Sequence, residues 1–160
     1  MSPRNFLKLR LAQAEHLEAI WQIVQAHQET FVDDYHAPDL EWLVVAQLMV
    51  VLAEQRVVGV VAVSNISADA LHGELHFLLT PSYLRQAVRE QLFWQVIHAV
   101  FMNYDLQKIK VALMATQTVG IKILKQLGFR AVGFFQGETR KNGESMDIWW
   151  YEMTRSGWQF

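Results

Sequence analysis

The sequence predicts a mixed α/β fold (α+β mixed) in one domain over residues 1–160. Three observations predict it. Apolar runs rich in β-branched residues alternate with segments of helical period. The second half reads strand, helix, strand, helix, strand, strand, an order that needs a crossover and so at least one parallel pair. No repeat, low-complexity run or linker divides the chain, and none of its three prolines, Pro3, Pro38 and Pro81, lies in a spacer.

The elements follow in order. Phe6–Leu11 (FLKLRL) favours a first strand. Glu15–His27 reads as a helix whose apolar stripe is Leu17, Ile20, Trp21 and Val24, spaced to face a core. Phe31–Pro38 is polar and turn-like, and Asp39–Leu40–Glu41 opens a second helix with acids in its first turn. Val44–Leu52 fits helix or strand, since periodicity does not separate the two in a short apolar run. Glu54–Arg56 is a hairpin turn leading into Val57–Val63 (VVGVVAV), a buried strand. Glu74–Leu79 is the next strand, Arg85–Met102 a helix, Ile109–Leu113 a strand and Val119–Leu127 a helix. Phe129–Phe135 and Asp147–Met153 close the chain as strands joined by the polar turn Glu138–Glu144, which holds the hairpin dipeptide Asn142–Gly143.

Composition excludes several classes of function. With 160 residues, 52% of them hydrophobic, the chain can bury enough surface to offset its conformational entropy. A net charge of -2 lacks the basic excess of a nucleic-acid binder, so no nucleic-acid partner is expected. The absence of cysteine removes disulfides, thiolate metal sites and cysteine nucleophiles. The longest apolar stretch, Leu43–Ala53, is broken by Gln47 and is too short to cross a bilayer. The N-terminal MSPRNFLKLRLAQAEH lacks a signal-peptide core. A cytoplasmic location without a membrane partner is the expectation. His27 and His36 with Asp33 or Asp34 match no metal-ligand spacing, and no metal is expected.

The order of elements resembles the GNAT superfamily of acyl-CoA-dependent N-acyltransferases over nearly the whole chain. Leu9–Ala12 with Glu15–Leu17 resembles its opening strand and first helix, Leu79–Thr80–Pro81 the end of its central strand, and Lys122–Phe129 (KILKQLGF) the helix and Gly-Phe turn that close its cofactor half. Gly128 has a physical reason to stand there, because glycine adopts the positive φ that ends a helix. The resemblance implies a GNAT-like fold: a central mixed, mostly antiparallel sheet with one parallel strand pair and flanking helices. It implies acetyl-CoA as cosubstrate and transfer to a primary amine of a small molecule or protein N-terminus. The alternative is a non-catalytic descendant of the fold, structural or interacting, such as a phage virion-associated protein, that has lost CoA binding.

The resemblance also assigns residues. The family holds the CoA pyrophosphate on backbone N–H groups of a glycine-bearing loop at a helix start. Here Pro81–Arg89 contains no glycine. Leu79, Arg85, Gln86, Ala87, Val88, Arg89 and Gln117 are the implied cofactor-binding residues. Arg85 and Arg89 stand at glycine positions, either as side-chain ligands for phosphate or as solvated helix residues. Gln117 replaces an asparagine. Leu124 stands where many members have a tyrosine that protonates the departing thiolate. Glu74 and His76, two apart on the central strand, share one face and are the candidate bases; hydrogen-bonded polar residues at a strand end are the other reading. A bulge at Phe77–Leu79 is implied as the source of a backbone donor for the thioester oxygen. Glu29, Asp33, Asp34 and His36 form an acidic cluster that draws a cationic amine or is simply a charged surface loop. Trp149, Trp150 and Tyr151 make the last strand apolar on both faces, which means burial on two sides or self-association through this C-terminal aromatic strand. Trp158 and Phe160 are bulky enough to tie the terminus down.

Overall fold

One reversal is made by two residues with positive φ, Glu54 (50°) and Gln55 (67°). Positive φ at both central positions matches the twist of the strands that such a turn joins. These strands are β2 (Met49–Ala53) and β3 (Arg56–Ser64) in a computed structural model that describes residues 7–26, 48–69, 71–80, 86–141 and 143–158. The remaining strands are β1 (Leu7–Leu11), β4 (His72–Leu79), β5 (Lys108–Met114), β6 (Arg130–Lys141) and β7 (Glu144–Thr154). Together they form a seven-stranded sheet in the order β1-β2-β3-β4-β5-β7-β6. Among the described strands only β4 and β5 run parallel; the other neighbours are antiparallel.

Helices cover both faces. α1 (Leu17–Ala26), entered through a 3-10 turn at Ala14–His16, buries Ile20, Ile23 and Val24 against Val50 and Val60. On the opposite face lie α2 (Gln86–Asn103) and α3 (Thr118–Gln126). Leu92, Val96 and Val100 of α2 and Leu124 of α3 pack there with Val61, Leu75, Ile109 and Tyr151. The switch of face between Val60 and Val61, and between Leu78 and Leu79, is the period of two that a strand imposes.

Two glycines have specific work in this scaffold. A Cβ on Gly59 would stand 3.0 Å from Leu79 Cδ2 and 3.1 Å from the Leu78 carbonyl oxygen, so the end of β4 approaches β3 only because nothing projects there. Gly128, at φ 93°, ends α3. The Phe129 N–H donates to the Leu124 carbonyl (2.9 Å) and the Gly128 N–H to the Lys125 carbonyl (3.0 Å), the pair of bonds that closes a helix around a left-handed glycine.

Three expectations change. The ambiguous Val44–Leu52 contains strand, not helix, in its described part: Met49–Ala53 pairs with β1 on one edge and β3 on the other. Its first three residues are buried, which is why it showed no amphipathic period. The polar Glu138–Glu144 is mostly strand. Thr139, Arg140 and Lys141 pair with Met146, Ser145 and Glu144, and Gly143, at φ 81°, lies between the two strands. The aromatic β7 is not a free edge, since β5 and β6 flank it. At this end of the sheet the edge strand is β6, where Val132, Phe134 and Phe135 are each about half exposed, at 46–48%. The second helix expected at Asp39, the acidic cluster, His27, His36 and Phe160 lie outside the described residues.

The C-terminal turn is anchored to α2. Arg155 donates through Nε to the Leu106 carbonyl (2.7 Å) and through Nη2 to those of Phe101 (2.6 Å) and Tyr104 (2.8 Å). Its guanidinium lies 5.3 Å from the Phe101 ring centre. Trp158 is buried and donates its Nε1–H to His98 Nδ1 at 3.3 Å. These bonds occupy carbonyls that the end of a helix leaves without partners.

Candidate active site

β4 and β5 pair at His72 with Lys108, Gly73 with Ile109 and Glu74 with Lys110, and the ladder ends there. Both strands continue, β4 to Leu79 and β5 to Met114, but each follows its outer neighbour. Leu75–Leu79 pair with β3, and Val111–Met114 with β7. The two parallel strands therefore part at their carboxyl ends, where open α/β sheets hold ligands. Phe77 projects towards α2 and meets Phe93 edge to face, with ring centres 4.6 Å apart.

Glu74 is the last paired residue and His76 the first beyond the fork on the same strand face. Each is held by β3 or the residue after it. Ser64 Oγ and His76 Nε2 are 2.9 Å apart, and Asn65 Nδ2 donates to Glu74 Oε2 at 3.0 Å. Asn65 reaches this position with φ 49°. The structure thus brings the two sequence-derived base candidates together at the foot of the fork, each already hydrogen-bonded to its neighbour strand.

The residues assigned to the cofactor fall in three places. Gln86, Ala87 and Val88 open the described part of α2, the helix that follows β4 in the chain. Arg89 follows, with a buried Nε that has no hydrogen-bond partner among the described residues. A buried guanidinium donor without an acceptor is costly, and an anion at the helix start would satisfy it. Arg85 lies outside the described residues. Leu79 is 3% exposed with its side chain in the core, so only its backbone can meet a ligand. Gln117 precedes α3, and its Oε1 accepts the Met114 N–H at 2.8 Å, closing the turn after β5. Leu124 is buried in the core, so this position supplies no proton donor.

The expected bulge at Phe77–Leu79 is absent. The β3–β4 register is unbroken from Gly59–Leu79 to Ser64–Glu74. The shift lies one strand away, between Val51 and Leu52, where β2 meets β3. The parting from β5, not a bulge, opens the edge of β4.

One feature escaped the sequence reading. Glu74, Lys110, Glu152 and Arg130 occupy matched positions on four adjacent strands and form a lateral row of alternating charge. Glu152 is buried, at 8% exposure. It accepts a bond from Arg130 Nη2 at 2.8 Å and pairs with Lys108 Nζ at 3.1 Å. The Arg130 bond, with a smaller contribution from Lys108 and against the opposing effect of burial, holds its carboxyl below the usual carboxylate range. Lys108 and Lys110 share one face of β5, but cross-strand partners are not written in local sequence.

Among the described residues no helix is long and apolar enough to cross a membrane, and no group of three or more His, Asp or Glu is placed to hold a metal. No curated protein matches the sequence. The fold is that of spermidine N-acetyltransferase from Vibrio cholerae in complex with CoA and spermine: TM-score 0.85, 17% identity, covering 96% of this chain and 98% of that one. It is also that of a ribosomal-protein-S5-alanine acetyltransferase from Vibrio fischeri (TM-score 0.80, 19% identity, 96% of each chain). A ribosomal L7/L12 alpha-N-protein acetyltransferase in complex with coenzyme A is similar at TM-score 0.79 and 15% identity, over 95% of this chain and 96% of that one. Residues 8–150 match the acetyltransferase (GNAT) domain family, and the chain belongs to it.

Proposed function

We propose that this protein transfers an acetyl group from acetyl-CoA to a primary amine of a small molecule or a protein N-terminus. The observation that carries the reading is the fork between β4 and β5, followed in the chain by α2, where Arg89 Nε is buried without a partner among the described residues. Family membership and similar structures solved with CoA support it. In this chain the pyrophosphate would be held by the first-turn amides at Gln86–Val88 together with the Arg89 guanidinium. A side chain thus takes the role for which a loop glycine is otherwise used.

Bound acetyl-CoA supplies a thioester carbonyl open to attack by an amine. Glu74 or His76 takes the proton that the amine nitrogen loses as it forms the N–C bond. The edge of β4 beyond Glu74 presents backbone to the carbonyl oxygen as charge develops on it. The C–S bond breaks and CoA leaves; Leu124 gives it no proton, so the thiolate departs unaided from that side. A cytoplasmic location belongs to this reading. So does self-association, supported by the half-exposed Val132, Phe134 and Phe135 of the edge strand.

The test is the effect of acetyl-CoA on thermal unfolding. A ligand at a hundredfold excess over its Kd stabilises the folded state by about 2.7 kcal/mol. For a chain of this size that raises Tm by about 5–10 °C. No shift at millimolar acetyl-CoA would sink the reading and favour the non-catalytic descendant. With binding established, Glu74→Gln and His76→Gln distinguish the base: the correct one lowers turnover about a hundredfold or more and leaves acetyl-CoA affinity unchanged.

A further inference from the structure

The charged row at the foot of the fork bears on which amine is accepted, given the transfer reading above. Glu152 already has two cations, Arg130 at 2.8 Å and Lys108 at 3.1 Å. Glu74 is held by Asn65 at 3.0 Å. Lys110 stands between these two acids in the row, paired in register with Glu74 on one side and Glu152 on the other. Yet no acid among the described residues lies within ion-pair distance of its ammonium. Lys110 shares a strand face with Lys108, whose Nζ reaches Glu152, so its side chain leaves the sheet on the face of Glu74 and His76. Among the described residues of this row and its neighbour Lys108, the cation that stands next to Glu74 in register is Lys110.

We propose that Lys110 selects acceptors carrying a carboxylate close to the amine, so that free amino acids and short peptides are preferred over polyamines and protein N-termini. The amine sits against Glu74 and His76 on β4, and the carboxylate meets the Lys110 ammonium one strand away. Adjacent strands lie about 4.8 Å apart, a separation that an amino acid or dipeptide spans. A polyamine brings a second cation to the same ammonium and is disfavoured by like-charge repulsion.

The experiment follows CoA thiol release from acetyl-CoA with alanine, alaninamide, alanylalanine and spermidine as acceptors. The chain has no cysteine, so a thiol reagent reads CoA alone. The expected result is a higher kcat/KM for alanine or alanylalanine than for spermidine. Lys110→Met should lower the alanine-to-alaninamide ratio about tenfold, mostly through KM, while Lys110→Arg keeps it. Lys110→Gln serves if the methionine variant does not fold. A wild-type preference for spermidine, or a ratio unchanged by removing the ammonium, would overturn the role of Lys110 and leave acetyl transfer standing. No thiol release from any acceptor, together with no acetyl-CoA thermal shift, would overturn the transfer reading and this proposal with it.

Discussion

The two ends of α2 are each served by an arginine, and the two arginines are in opposite states. At the C-terminal end Arg155 bonds three carbonyls, those of Phe101, Tyr104 and Leu106, and lies over the Phe101 ring. At the N-terminal end Arg89 has a buried Nε with no partner among the described residues. A guanidinium whose donors are met by the fold serves stability. One whose donor is buried and unmet lowers stability unless a ligand arrives. The same residue type is satisfied by the fold at one end of the helix and left with an unmet donor, among the described residues, at the other.

The largest effect should come from Arg155→Ala. It strips several buried carbonyls of their donors and is expected to cost about 3 kcal/mol, seen as a lower urea midpoint, with acetyl-CoA affinity retained in the folded protein. A loss of affinity matching the loss of stability would erase the contrast between the two ends. Arg89→Ala should do the reverse: stability within about 0.5 kcal/mol of wild type and a Kd for acetyl-CoA about tenfold weaker by calorimetry. Unchanged affinity would make Arg89 an ordinary helix residue.

A third helix end is finished by backbone alone, at Gly128. Gly128→Ala forces a side chain into φ 93° and should cost about 1 kcal/mol by denaturant titration, with acetyl-CoA binding intact. The smallest effect concerns Glu152, a charge whose partners, as at Arg155, are all within the fold. Its folded pKa is depressed, so its contribution is present above the unfolded value near 4.5 and is lost as pH falls through the folded value. Arg130→Met should flatten that acid-side part of the stability profile. An unchanged acid-side profile would show that Lys108 suffices.

Much of the scaffold was legible because it depends on local rules. Val57–Val63 announces a strand by its β-branched residues. Lys122–Phe129 announces a helix end because only a glycine takes the required φ. Asn142–Gly143 marks the hairpin, although the polar residues beside it concealed how far the strands run on. Polar side chains pair along an exposed ladder as well as apolar ones do, so polarity misplaced that boundary. Of the candidate site, the shared face of Glu74 and His76 was legible from their spacing. Their partners Ser64 and Asn65, ten or so residues away, were not, nor was the missing bulge in β4, because register is set between strands.

By itself the sequence indicated most of the described elements, their order and the family they resemble, since period, capping and turn chemistry act within a few residues. It also determined that the stretch the resemblance assigns to the cofactor phosphates, Pro81–Arg89, has arginines where glycines were expected. Only the tertiary structure decided that β4 and β5 part after three pairs, that among the described residues Arg155 finds partners for its donors while Arg89 Nε finds none, and that no acid among them reaches the Lys110 ammonium. Each of these depends on which backbone and which charge arrive from a distant part of the chain, and burial and pairing are properties of that assembly.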